Sequence, residues 1–232
     1  DVAGGRHHSL SLKSDGTVNA WGWNPYGQTD VPENLSDVIS VSAGYYHSLA
    51  LKNNGTIIGW GLDEHNSISG SLYLTDIIAI DAGEHRHSLA ITKQGTVKSW
   101  GYSPYGETNV PLNLNNVIQV SAGYHSSFAL KADGTVVGWG NNSNNILDIP
   151  EDLTDVIAID AGYWHVVALK SDGSVVSWGY DGYGLQELPL GLENVIAISA
   201  SGDGHSMALK ADGTLIGWGR NFEDQINIPD NL

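Results

Sequence analysis

The sequence predicts an all-β protein, a six-bladed β-propeller of antiparallel three- to four-stranded blades that forms one domain over residues 1–232. Three observations carry this. Trp-Gly pairs begin at Trp21, Trp60, Trp100, Trp139, Trp178 and Trp218, 39 or 40 residues apart, so six units fill the chain. Each unit alternates short apolar segments with turn signals and has no uninterrupted 3.6-residue apolar period of helix length. Those segments are apolar on both faces, which suits blades packed radially on one another. A linear solenoid needs atypical capping repeats, and neither end reads as a cap.

Within a unit, the first strand is a short apolar segment such as Val156 to Ile159, ended by Ala-Gly. The second is His-Ser-Leu-Ala-Leu-Lys, where Leu49 and Leu51 alternate with Ser48 and Ala50, so both sides can be buried, one bulky and one small. A hairpin follows at pairs such as Asp133-Gly134, a dipeptide that supplies left-handed backbone. The third strand is Thr-Val-Val-Gly-Trp-Gly. A Gly- and Asn-rich loop and an edge segment ending at Pro32, Pro111, Pro150, Pro189 or Pro229 close the unit, since proline in a sheet belongs at an edge. The first repeat starts at Asp1-Val2-Ala3-Gly4 without the Val-Ile-x-Ile segment of the other five, and the last stops at Pro229-Asp230-Asn231-Leu232. The two termini are therefore expected to meet in one blade and clasp the ring shut.

Composition narrows the function classes. Ten Lys plus Arg against 26 Asp plus Glu give a formal charge of −16, which argues against a nucleic-acid partner, because binding to phosphate backbones draws on cationic side chains. No run of about 18 apolar residues is present, so no membrane insertion is expected. The opening residues form no basic-then-apolar leader, and any signal peptide would belong to a longer precursor. With no Cys there are no disulfides, thiolate metal sites or thiol nucleophiles. Hydrophobic residues at 41% supply a packed core despite the charge.

The unit A-G-x-x-H-S-L-A-L-K-x-D-G-T-V-x-x-W-G-x-N-x-x-G-Q, seen in residues 43–61 and 21–28, resembles the repeat of the regulator of chromosome condensation family over the whole chain. The compact connector at residues 29–35 is similar to that of the bacterial propeller-type β-lactamase inhibitor proteins. That resemblance implies a secreted or cell-surface binding protein that blocks an enzyme with one face, using aromatic residues in the corresponding loops. The wider family also implies guanine-nucleotide exchange as a less favoured activity.

Alternating strand direction sorts the loops by face. The Ala-Gly-x-x-His loop and the loop after Trp-Gly share the top, and the Asp-Gly hairpins lie below. Apart from the six repeat tryptophans, twelve of fourteen aromatics fall in top loops: Trp23, Tyr26, Tyr45, Tyr46, Tyr102, Tyr105, Tyr124, Tyr163, Trp164, Tyr180, Tyr183 and Phe222; Tyr73 and Phe128 do not. All three arginines, Arg6, Arg86 and Arg220, are top-loop residues as well. Tyr, Trp and Arg dominate binding hot spots, so the top is the candidate partner-binding face, formed by the twelve aromatics with Arg86, Arg220 and His125. Tyr26, Tyr105 and Tyr183 each precede a turn glycine, and there a structural wedge competes with recognition.

His8, His47, His87, His165 and His205 occupy one repeat position, with Ser126 in the fourth repeat. A residue used once per blade reads as a structural hydrogen bonder, so no metal or other cofactor is expected. His7, His85 and His125 read as members of the binding face, able to make it pH-sensitive. Asp63-Glu64 and Glu223-Asp224 read as solvated loop charge, and no triad or phosphate loop is present, so no catalytic residue is assigned. The reading is a monomeric, non-enzymatic module for a protein partner, as an enzyme inhibitor or the recognition domain of a secreted bacterial protein. A glycan-binding, lectin-like role is the alternative.

Overall fold

The computed structural model describes residues 1–229. Six three-stranded antiparallel sheets follow one another along the chain, each in simple up-and-down order. Blade 1 comprises Val2–Gly4, His8–Leu12 and Val18–Gly22; blade 2 comprises Val38–Ala43, His47–Lys52 and Ile57–Gly61. Blades 3 to 6 repeat the pattern from Ile77, Val117, Val156 and Val195. The proline-terminated edge segment joins none of these sheets, so the blades have three strands and not four. Pro32 brings no N–H to a ladder, and its neighbours close local turns instead, with Val31 N–H donating to the Thr29 carbonyl at 3.0 Å.

The hairpin between the second and third strands shows why Asp-Gly recurs. Only the glycine is left-handed, as at Gly134 (φ 80°), while the Asp133 carboxylate accepts the Thr135 N–H at 3.1 Å and its hydroxyl at 2.6 Å. Lys131 N–H then donates to the Thr135 carbonyl at 2.9 Å, closing the three-residue loop.

The apolar core lies between blades. Leu49, Leu51 and Ile57 of blade 2 pack with Ile77, Ala82, Ala90 and Trp100 of blade 3, whereas Ala50 and Trp60 face back to Leu10 of blade 1. The alternation of bulky and small residues on the middle strand is thus a tongue on one side and a recess on the other. Five such clusters fill the five successive seams. Two hydrogen bonds recur there. The repeat tryptophan donates its indole N–H to a loop carbonyl of the preceding blade: Trp60 to Gln28, Trp100 to Ser67, Trp139 to Glu107, Trp178 to Ile146 and Trp218 to Leu185, at 2.7–3.1 Å. The repeat histidine bonds through Nε2 to a serine hydroxyl of the following blade, His8 to Ser48, His47 to Ser88, His87 to Ser127 and His165 to Ser206, at 2.7–3.1 Å. The recurrent histidine is therefore a blade-to-blade tie.

Around the axis, Ser42, Asp81, Ser121, Asp160 and Ser199 occupy one inner-strand position. Asp81 accepts from the Ser42 hydroxyl of blade 2 at 3.1 Å and from the Ala122 N–H of blade 4 at 2.7 Å. Asp160 likewise accepts from Ser121 at 3.3 Å and Ala200 N–H at 2.8 Å. Each carboxyl joins three blades. Burial pushes Asp81 up to about 7, against these hydrogen bonds.

The first repeat has an inner strand of three residues, Val2–Gly4, paired with Ser9–Ser11, half the length of the six-residue inner strands of the other blades, and the expected closing residues Asp230, Asn231 and Leu232 lie outside the described residues. Between blades 6 and 1 neither tie forms among the described residues. Trp21 is 53% exposed where its five counterparts are 4–7%, and His205 turns Nδ1 to its own blade's Ser201 hydroxyl at 2.7 Å.

Candidate functional site

The two top loops of each blade are joined by one backbone bond. The residue after Trp-Gly donates its N–H to the carbonyl before the repeat histidine: Leu62 to Tyr46, Tyr102 to Arg86, Tyr180 to Trp164. The intervening glycine makes this approach possible. Gly140 has φ 105°, and a Cβ there would sit 2.6 Å from the His125 carbonyl oxygen. Side chains on both loops are thereby held on one surface.

All twelve top-loop aromatics fall in one continuous chain of ring contacts across the six blades. Trp23 packs on Tyr26 at 5.5 Å and Tyr46 at 5.2 Å, and Tyr46 on Tyr45 at 4.0 Å. Tyr45 reaches His85 at 6.5 Å, and His85 meets Tyr102, Tyr124 and His125 at 5.1, 4.4 and 4.2 Å. Tyr105 stands on His125 at 4.8 Å. Tyr124 then leads through Tyr163, Trp164, Tyr180 and Tyr183 to Phe222, in steps of 4.4–6.3 Å. Most of these pairs are edge-on or tilted, the arrangement that ring quadrupoles favour. Tyr26, Tyr105 and Tyr183 are exposed, at 45–55%, as are Trp23, Tyr180 and Phe222. Tyr45, Tyr46, Tyr102, Tyr124, Tyr163 and Trp164 are half-buried beneath or beside them.

The arginines lie on this aromatic surface. The Arg86 guanidinium is 5.6 Å from the centroids of both Tyr45 and Tyr46 and pairs with Glu64 at 2.6 Å. Arg220 lies 5.3 Å over Phe222, and Arg6 lies over Tyr45 at 4.8 Å and Tyr163 at 5.4 Å. His125 donates its Nδ1–H to the buried Glu107 carboxylate at 3.0 Å. His85 does not give the face the pH sensitivity expected of it: burial, with His125 and Arg86 nearby, holds it down at about 4, so it is a neutral ring at physiological pH. Sequence reasoning missed His65, which packs on Tyr102 at 4.4 Å, and Glu107, which takes the place of Gln28 one repeat unit pair earlier and is fully buried. His65 falls outside the repeat pattern and gave no signal.

Beneath the face runs an axial cavity of about 650 Å³ whose wall includes Arg6, Asp81, Glu84, Asp160 and Tyr163. Burial pushes Glu84 up to about 7, with Arg6 drawing it back. Among the described residues no three His, Asp or Glu converge as metal ligands would, and no helix is long and apolar enough to cross a membrane.

The model of the regulator of chromosome condensation (RCC1) repeat matches residues 1–28, 38–67, 77–107, 117–146, 156–185 and 195–225, one match to each blade. This chain belongs to the RCC1-repeat family. Its six repeats superimpose on human WBSCR16 with a TM-score of 0.77 at 21% identity, over 95% of this chain and 76% of that one. Yeast RCC1 (Prp20), solved bound to Kap60, gives 0.79 at 20% over 95% and 70%, and the ectodomain of the Physcomitrella patens receptor kinase CR4 gives 0.81 at 20% over 100% and 66%. In sequence, the Arabidopsis thaliana ultraviolet-B receptor UVR8 is 47% identical over 34 residues, which is 15% of this chain and 8% of the receptor. A further structure of the Saccharomyces cerevisiae protein Prp20p, at 20% identity and a TM-score of 0.78, is reported with its binding to Gsp1p and histones.

Proposed function

We propose that this RCC1-repeat propeller is a non-enzymatic module that engages a partner protein through its upper face. The observation that carries the reading is the unbroken aromatic network from Trp23 to Phe222, overlaid by arginines. Rings already packed on one another lose little side-chain freedom when a partner covers them, and half-buried Tyr and Trp with exposed rims are the groups that yield most free energy per residue at protein interfaces. Arg86, held by Glu64 and two tyrosines, is preorganised for the same purpose. Inhibition of an enzyme at the cell surface or outside the cell is the specific form the connector resemblance favours.

The test compares capture of partners by the wild-type chain with capture by a Tyr163→Ala/Trp164→Ala variant, in the presence and absence of millimolar free sugars. Two central rings at a hot spot are worth about 2–4 kcal/mol each, so the variant should lose the partner under both conditions. Equal capture by both chains overturns the assignment of the face, and release by sugar overturns a protein partner in favour of a glycan.

A further inference from the structure

The lower hairpins of blades 1, 4 and 5 share one hydrogen-bond pattern. Asp15, Asp133 and Asp172 each accept the backbone N–H and the hydroxyl of the Thr or Ser two residues on, at 2.6–3.1 Å. Blade 2 has Asn54 at that position, exposed and followed by Gly55, and this is the one Asn-Gly pair in the chain. Asn54 Oδ1 accepts the Thr56 N–H at 3.0 Å and the Thr56 hydroxyl at 2.7 Å. A glycine after asparagine leaves the backbone nitrogen open to approach the side-chain amide, since no Cβ stands in the way. The two Asn-Ser pairs differ. Ser67 and Ser143 bring that Cβ, and the Asn142 amide is fixed at both ends, by the Leu147 N–H at 2.7 Å and the Asp148 carboxylate at 2.9 Å.

We propose that Asn54-Gly55 is a self-modification site, at which Asn54 loses ammonia to water and becomes an aspartyl residue in normal peptide linkage, with Thr56 directing both steps. Gly55 N–H donates to the Lys52 carbonyl at 2.9 Å, so the reaction starts with local opening of that one bond in an exposed loop. The Gly55 nitrogen then attacks Asn54 Cγ. An N–Cγ bond forms, the nitrogen's proton passes to solvent, the Cγ–Nδ2 bond breaks, and ammonia leaves behind a five-membered succinimide. Negative charge collects on Oδ1 in the tetrahedral state, where the Thr56 N–H and hydroxyl already donate, as oxyanion donors do. The same two donors polarise Cγ in the ring, so water adds there, the N–Cγ bond breaks and the Gly55 nitrogen regains a proton. Water adding at the backbone carbonyl would instead leave a β-linkage with an extra main-chain atom, in a loop that Lys52 N–H closes on the Thr56 carbonyl at 2.9 Å. The product matches a hairpin the chain already builds. Its carboxylate accepts charge-assisted bonds from Thr56 as Asp133 does from Thr135, and Lys52 stands to it as Lys131 stands to Asp133, a pair at 2.8 Å. The site lies on the side opposite the aromatic face, so its test is independent of the proposed function.

The experiment incubates the whole chain at mildly alkaline pH, folded and in urea, and follows the peptide that contains Asn54 by mass spectrometry. Exchange of the amide for a carboxylate gives the rate. Cleavage by an endoproteinase that cuts only before α-linked aspartyl, beside labelling by an isoaspartyl methyltransferase, gives the linkage. The folded chain should convert at Asn54 and at no Asn-Ser pair, with the α-linkage in excess, whereas the unfolded chain should yield mainly the β-linkage. Thr56→Val removes the hydroxyl donor and should slow conversion in the folded chain by about two- to tenfold, the worth of one hydrogen bond, with a larger β share. Thr56→Ser keeps both donors and should retain the parent's rate and product. Three outcomes overturn the proposal: a folded chain that stays unconverted while the unfolded chain reacts, a β-linked excess in the folded chain, or Thr56→Val and Thr56→Ser that behave alike.

Discussion

Replacing Trp139 by phenylalanine isolates the contribution of one seam tie. Trp139 is 6% exposed, and its indole N–H donates to the Glu107 carbonyl at 2.7 Å. That carbonyl also accepts the Ser127 hydroxyl at 2.9 Å, so the variant leaves no orphaned acceptor and loses only the net value of a hydrogen bond, about 1 kcal/mol. The smaller ring leaves a void of roughly 40 Å³ in the cluster with Leu89, Ile91 and Val117, which at ~24 cal/mol per Å³ costs about 1 kcal/mol more. The sum, about 2 kcal/mol, corresponds to a fall in Tm of about 4–8 °C for a chain of this size. Trp21→Phe is the matched control. At 53% exposure and with no tie among the described residues, it should change stability by less than about 0.5 kcal/mol. Thermal scans and urea midpoints of the two variants beside the parent decide the matter, and equal losses would refute the account of how seams are held.

Two further outcomes are expected. Gly140→Ala should destabilise by several kcal/mol, because the position has φ 105° and the added carbon would meet the His125 carbonyl oxygen at 2.6 Å; a circular-dichroism melt within 2 °C of the parent, roughly the effect of a neutral surface change, would sink that argument. Acid should weaken the fold. Burial holds His8, His47 and His165 down at about 4 and His87 at about 3. The unfolded chain takes up these protons from about pH 6.5 downward while the folded chain does not, so their stabilisation is complete above 6.5 and drains away toward pH 4. Asp81 and Glu84, pushed up to about 7, act in the opposite sense over the same range, since the folded chain keeps protons that the unfolded chain releases. Four imidazoles outweigh these carboxyls, and the urea midpoint should be lower at pH 4.5 than at 6.5; a higher midpoint at 4.5 contradicts the balance.

Much of this was legible in the sequence because the repeat states every local rule six times. The Trp-Gly period, the left-handed hairpin glycine and the two-sided middle strand all appear where Leu49, Ser48 and Gly134 place them. The gathering of Trp23, Tyr45, Tyr163 and Phe222 on one face followed from strand direction alone. Other features depend on what stands across a gap, which a single repeat does not encode. Ser42, Asp81, Ser121 and Asp160 alternate visibly in the sequence, yet their role emerges only when the N–H groups of Ala122 and Ala200 are set opposite the carboxyls. Trp21 reads like the other repeat tryptophans, yet it is exposed and its indole has no hydrogen-bond partner among the described residues. The prolines were read as closing an edge segment of each sheet, but the segments that end in them join no sheet, in keeping with a residue that brings no N–H to a ladder.

Since each apolar cluster belongs to two neighbouring blades, no blade owns a core. Among the described residues, blades 2 to 5 share an apolar cluster on both flanks and blades 1 and 6 on one each, and in a stack held by nearest-neighbour contacts the units with fewer shared clusters open first. The same arrangement makes the repeat the natural unit of lengthening. Copying one whole unit inside the chain adds one more shared cluster and leaves every existing one intact, while removing part of a unit spoils two clusters at once.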